Sequence, residues 1–387
     1  MSAPRGAGRS TGSNYAPGPG PSTQLLSAYF DPPKAVVEPV QRQRFSEPQK
    51  FLPVAFVVGV VTFLFWSYLQ HHIRPLLQLN GAARGPERKL DEEMRQRGFI
   101  ELGAFLYLTL LFGISYVRSI LTDPGSIPDE DPLWQYGGAA RSVDIDLVPM
   151  ALQEMKRTGE RRHCKWCGKY KPDRCHHCRV CKCCILKMDH HCPWIYNCVG
   201  FANYKYFFLL LLYSFGCTYF IVFTMCESVS RIIADASTPF ATMFLVLFTV
   251  TLATFLAVLI TAFWGFHIWL MIVAKTTIEF CEKQTAKKEP ERRVAETSVY
   301  HLGLSGNIRA VLGNNMLLWF FPCDPPSGDG LSFMSDETRL TKDLESGKGI
   351  RRRSHQRTQR TVRTPRGTPA PAGGMYTGYA STSHRER

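Results

Sequence analysis

Four long apolar runs constrain what this chain can fold into. The first, FLPVAFVVGVVTFLFWSYL from Phe51 to Leu69, carries no charge and has Pro53 near its start, where a helix tolerates it. The second, roughly Phe99 to Leu121, has Glu101 and Arg118 towards its ends, so its uncharged centre is short for about 30 Å of hydrocarbon. The third runs from Tyr206 to Cys226 behind Lys205, and the fourth fills the uncharged interval from Pro239 to Ala274. Helices of a soluble core seldom stay uncharged on every face for about 20 residues. The sequence therefore predicts four transmembrane helices rather than two or three soluble domains.

An even number of spans puts both termini and the loop between spans two and three on one side, and basic residues choose that side. Thirteen Lys and Arg lie from Thr122 to Lys205, 19 follow Ala274, and Arg231 alone lies between spans three and four. The prediction is a cytosolic central loop with cytosolic tails. The loop from Gln70 to Gly98 is discordant, with six basic residues among four acidic ones. The first fifty residues are rich in Pro, Gly and Ser and lack an apolar signal-peptide core, so the first span is expected to act as its own insertion signal. The net charge of +14 does not point to nucleic acid. Basic residues concentrate beside the spans and in the tail RRRSHQRTQRTVRTPR, a pattern suited to the anionic headgroups of membrane lipids. Residues 1–47 and 325–387 are expected to be disordered. Between them come spans one and two with a lumenal loop (48–122), a cysteine-rich domain (123–205), spans three and four (206–274) and a C-terminal region (275–324).

Nine of the 13 cysteines fall between Cys164 and Cys198, with five histidines counted from His163. Cytosolic thiols stay reduced, so this density argues for metal rather than disulfides. Cys164-x2-Cys167, Cys178-x2-Cys181 and a further x2 step to Cys184 have the chelating spacing of tetrahedral zinc. Two closed sites need eight ligands, and counting alone does not say which of these residues are spare. Cys175 and Cys183 read as incidental small residues. Cys192 follows Asp189 and His190 closely in CILKMDHHCPWIYNCVG. A thiol with a pKa of about 8.5 is mostly protonated at cytosolic pH. An imidazole can take its proton, and a carboxylate can orient that imidazole. Asp189, His190 and Cys192 supply all three parts, and adjacent His190 and His191 point in different directions.

The tetrad DHHC, Asp189 to Cys192, set in this cysteine pattern and followed by PWIYNCVGFANYKYF, resembles the DHHC family of protein S-acyltransferases, the palmitoyltransferases. The likeness covers about residues 48–325. DPG at Asp123 to Gly125 follows the second span, and TTIE at Thr276 to Glu279 follows the fourth. GNIRAVLGNN from Gly306 resembles a C-terminal element of the family, with Asn307 at its key asparagine; Leu312 stands where an aromatic residue is commoner. The resemblance implies two structural Zn2+ sites: Cys164, Cys167, His177 and Cys184 hold the first, and Cys178, Cys181, His191 and Cys198 the second. His190 and Cys192 are left free of metal. It further implies that Cys192 takes a fatty acyl group from an acyl-CoA such as palmitoyl-CoA and passes it to a cysteine of a protein substrate. His190 would move the proton, and Asp189 would orient His190. Thr276, Thr277 and Glu279 would contact the catalytic domain, with Thr277 near Asp189.

The acyl chain is expected among the four spans, with the CoA phosphates on basic residues of the central loop. The small pair Gly216 and Cys217 either leaves room for that chain or eases helix packing. Glu101, Arg118 and His267 are read as interface anchors. The expected location is an endomembrane (Golgi, ER or plasma membrane) with the active site facing the cytosol, and some relatives work with an accessory subunit. Two other readings compete: a membrane-anchored zinc module without chemistry needs no free Cys192, and a small transporter needs polar residues along its spans, of which these have few.

Overall fold

The computed structural model describes residues 48–77, 86–136, 152–286 and 298–334, apart from 153, 157, 159, 325 and 327. Of the stretches expected to be disordered, 1–47 and 335–387 lie outside the described residues. Four helices are long and apolar enough to cross a membrane, over Gln49–Leu77, Glu92–Leu121, Tyr204–Ala234 and Phe240–Ile272. In the first, α1 (Leu52–Tyr68) starts with Pro53 in its first turn and continues through a π-helical turn at Leu69–Ile73 into Arg74–Leu77. Next, α2 (Pro86–Leu121) begins well before Phe99, because PERKLDEEMRQRG is built largely from good helix formers. Then α3 (Tyr204–Ala234) packs against both α2 and α4 (Phe240–Ile272). Phe56, Leu110, Phe223 and Phe255 face outward, as expected where lipid is the solvent.

The π turn in α1 carries His72 into the bundle, fully buried, where Nδ1 lies 2.8 Å from Ser228 Oγ and Nε2 lies 2.7 Å from Glu101 Oε2. Arg97 bridges Glu101 and Glu227, each at 2.7 Å. Glu101 is thus an interior partner of three helices rather than an interface anchor, since an unpaired carboxylate could not be buried there. Gly216, the first of the small pair in α3, lies against α2. A Cβ on Gly216 would meet Leu108 of α2 at 3.6 Å, ordinary van der Waals contact. A groove of about 570 Å³ opens elsewhere, bounded by Phe65 of α1 and by Leu106, Thr109, Gly113 and Arg118 of α2.

Between α2 and α3 stand three antiparallel hairpins: β1 (His163–Cys164) with β2 (Lys169–Tyr170), β3 (His176–Cys178) with β4 (Cys183–Ile185), and β5 (His190–Cys192) with β6 (Asn197–Val199). Two-stranded pieces this short are not stable alone and need external staples. One staple is the DPG turn: Asp123 Oδ1 accepts from Gly125 N, Gly125 O accepts from Leu186 N, and Pro124 O accepts from Ala202 N. Another is Asn197, whose Nδ2 donates to the carbonyls of Ser119, Ile120 and Thr122 and so satisfies the open end of α2. Behind α4 come α5 (Thr277–Ala286) and α6 (Leu304–Leu312). Asn307 on α6 accepts from Leu302 N at 2.8 Å and donates to Ile272 O at 2.7 Å, tying α6 to the last residue of α4. Phe333, within the stretch expected to be disordered, lies against Phe201, Tyr300 and the Arg174 guanidinium.

Candidate active site

Strand alternation sorts the adjacent histidines. Successive side chains of a strand leave opposite faces, so His190 and Cys192 share one face of β5 and His191 takes the other. His191 is paired in register with Cys198, a residue of the second metal set, while Cys192 is paired with Asn197. The same rule on β3 sets His177 opposite Cys184 and turns Cys178 the other way.

Two groups of four side chains result. Cys164, Cys167, His177 and Cys184 bring their ligating atoms within 4.8 Å of one another, and so do Cys178, Cys181, His191 and Cys198. In the first, His177 Nδ1 lies 3.5 and 3.3 Å from the sulfurs of Cys164 and Cys167. In the second, His191 Nδ1 lies 3.7, 3.5 and 3.5 Å from those of Cys178, Cys181 and Cys198. A tetrahedron with metal–sulfur bonds of about 2.3 Å and metal–nitrogen bonds of about 2.0 Å has edges of roughly 3.5 Å. Both donor sets therefore fit a tetrahedral ion that favours thiolate and imidazole, the preference of zinc. Cys175 and Cys183 stand outside both groups, and so does Cys192.

Asp189 is fully buried and accepts three hydrogen bonds. Thr277 N reaches Oδ1 at 3.0 Å, Thr277 Oγ1 reaches Oδ2 at 2.7 Å, and His190 Nδ1 lies 2.7 Å from Oδ2. Burial alone would raise this carboxyl, but the donors, led by His190, outweigh it and hold Asp189 below the usual carboxylate range. Burial likewise works against a charged His190. The hydrogen bond to Asp189 and the interaction with the Cys192 thiol reverse that and push the imidazole up to about 9. An imidazole raised in this way is well suited to hold a second proton, the one it receives when it serves a neighbouring thiol as base. Cys192 is 5% exposed and packs with Tyr116, Ile195, Phe207 and Leu211, where the hairpins meet the membrane helices.

The TTIE segment does two things at once. Thr276 and Glu279 form a reciprocal capping box, with Glu279 N donating to Thr276 Oγ1 and Thr276 N to Glu279 Oε2. The same carboxylate takes Arg174 bidentately, Nε at 2.6 Å and Nη2 at 3.0 Å, and both side chains are nearly buried. A cap is thereby locked onto the hairpin domain, which also aims Thr277 at Asp189. Sequence reasoning missed Arg174, Asn197 and Lys187. Lys187 faces a cavity of about 220 Å³ beside Asp189, where burial and Arg174 push its ammonium down to about 7. His267, read as an anchor, is 1% exposed and lies with Asp189 and His190.

This geometry has counterparts among known proteins. The family model described as DHHC palmitoyltransferase matches residues 157–284. Palmitoyltransferase ZDHHC15A of Danio rerio is 31% identical over 333 residues, 82% of this chain and 93% of the relative. Palmitoyltransferase ZDHHC2 of Mus musculus is 40% identical over 305 residues, 76% of this chain and 77% of the relative. Palmitoyltransferase ZDHHC15 of Rattus norvegicus is 39% identical over 295 residues, 73% of this chain and 81% of the relative. The chain belongs to the DHHC palmitoyltransferase family.

Proposed function

We propose that this protein S-acyltransferase moves a long-chain fatty acyl group from acyl-CoA to cysteine thiols of target proteins through an acyl-Cys192 thioester. The observation that carries the reading is the division of labour on β5: His191 faces the second metal group with Cys198, while Cys192 faces away from both groups together with His190. His190 uses Nδ1 on Asp189, which leaves Nε2 to take the proton of Cys192. The Cys192 sulfur attacks the thioester carbonyl, the carbonyl–sulfur bond to CoA breaks, and the CoA thiolate recovers the proton from His190. A substrate cysteine then loses its proton to His190 and attacks the acyl group, and Cys192 leaves as thiolate. Each step exchanges one thioester for another, so alignment and proton handling are the demanding part.

Zinc in the two Cys3His groups would brace hairpins too small to hold themselves. Thr277 positions Asp189, Thr276 and Glu279 hold Thr277 in place, and Asn307 fixes α6 against the end of α4. The apolar surroundings of Cys192 suit a chain lying among the spans with its thioester at the hairpin end of the bundle. The charge bias of the sequence favours an active site facing the cytosol, and the expected setting is an endomembrane, with acyl-CoA and membrane lipids as small partners. Incubating the purified protein with labelled palmitoyl-CoA tests the reading. Hydroxylamine-sensitive label on wild type and none on Cys192→Ser is expected; equal label on both would sink it.

A further inference from the structure

We propose that His267 on α4 is a positioning residue for acyl transfer, holding Asp189, and through it His190, by way of one bound water. His267 is almost fully buried, and its Nδ1 lies 3.2 Å from Tyr204 Oη. Among the described residues that hydroxyl has no other acceptor, so its O–H donates to Nδ1 and fixes the remaining ring proton on Nε2. Nε2 is itself buried and has no hydrogen-bond partner among the described residues. Such a donor is expensive to leave unpaired. A ring nitrogen of His267, a ring nitrogen of His190 and a carboxylate oxygen of Asp189 all lie within 4.8 Å of one another. No direct hydrogen bond joins His267 to Asp189 or His190 among the described residues, and a gap of up to 4.8 Å is one that a single water spans with two bonds of about 2.8 Å.

Asp189 has the capacity to receive it. Oδ2 takes Thr277 Oγ1 and His190 Nδ1, whereas Oδ1 takes only Thr277 N. A carboxylate oxygen accepts two bonds, so Oδ1 has one lone pair left for a water that in turn accepts from His267 Nε2–H. The rings of Phe207, Phe263 and Phe266 stand 5.2, 4.7 and 5.8 Å from that of His267 and wall the site from bulk solvent. A fourth hydrogen bond stops the carboxylate from rocking and keeps its lone pair on His190 Nδ1. The dyad is thereby tied to the fourth membrane helix as well as to α5.

The inference rests on the reading of Asp189 and His190 as the pair that serves Cys192. The test is single-turnover formation of hydroxylamine-sensitive acyl-enzyme by the full-length protein over a range of palmitoyl-CoA concentrations, with zinc measured per chain. His267→Leu is expected to lower the maximal rate roughly tenfold, with half-saturating palmitoyl-CoA and zinc content unchanged. His267→Gln places an amide N–H where Nε2–H was and is expected to recover most of the rate; His267→Asn, whose amide stops near Nδ1, is not. Tyr204→Phe, which frees the tautomer without removing the ring, is expected to slow the step several-fold. In an Asp189→Asn background, His267→Leu should add less than a twofold loss, because the two groups act as one unit. A wild-type rate in His267→Leu, or Gln and Leu variants equally slow with full additivity on Asp189→Asn, would overturn the proposal. Should His267→Leu lose zinc or fail to fold, the Gln variant and Tyr204→Phe decide, and wild-type rates in Tyr204→Phe count against it. Label that persists in Cys192→Ser would instead overturn the underlying reading.

Discussion

Thr277→Val removes one oxygen from the site and little else. The hydroxyl donates to Asp189 Oδ2 at 2.7 Å, and the same oxygen faces His190 Nδ1 at 2.7 Å. A valine methyl at that place leaves the Thr277 backbone N–H on Oδ1 at 3.0 Å, and the capping box of α5 is untouched because it uses Thr276 and Glu279. A hydrogen bond to a buried charged group contributes about 1.5–3 kcal/mol. If that stabilisation of the Asp189 carboxylate is what holds His190 ready for the thiol, its loss appears in the barrier to acyl-enzyme formation. The expected fall is then roughly 10- to 100-fold. The assay is single-turnover acylation of Cys192 with labelled palmitoyl-CoA, with zinc per chain and Tm followed in parallel. Thr277→Ser keeps the donor and is expected within about threefold of wild type. A Thr277→Val rate within twofold of wild type would refute the reasoning, since Asp189 would then not need the hydroxyl. A loss matched by zinc release would refute it too, because the effect would lie in the fold.

Glu279→Gln removes the charge that compensates Arg174, whose side chain is 5% exposed, and leaving a buried charge unpaired costs about 3–5 kcal/mol, so a large drop in Tm is expected by calorimetry. Gly200→Ala would set a Cβ 2.6 Å from Ile185 Cγ2 and 2.8 Å from the Pro124 carbonyl oxygen, and overpacking of about 1–3 kcal/mol should lower Tm. Lys187 has a folded pKa of about 7 against about 10.4 unfolded, so the unfolded chain binds more protons between these values and stability rises with pH across that window. Lys187→Met should flatten that slope and stabilise most at or below pH 7, as read from Tm against pH. Cys164→Ala is expected to lose one zinc per chain by elemental analysis, whereas Cys192→Ser keeps two.

The spans were legible because a bilayer demands runs of apolar residues, which are written along one dimension. The chelating pairs were legible because a tetrahedral site recruits neighbours two residues apart. Other contacts at the site are distant in sequence: Thr277 and Asp189 are 88 residues apart, and Arg174 and Glu279 are 105 apart. No local pattern encodes them, and only the likeness of TTIE to a family motif marks that end of α4. The two misread residues share a cause. Glu101 and His267 sit near span ends, and a polar residue there anchors the helix only if the end meets water. Whether it does depends on what covers that end. For Glu101 the cover is His72, turned inward by the π-helical turn of α1. For His267 it is Tyr204 and the hairpin that carries Asp189 and His190. A polar residue at a span end therefore reads as an anchor or as part of a site only once the covering segment is known. The histidines of DHHC separate by the opposite logic, since a three-residue strand with a period of two already puts His190 and His191 on different faces.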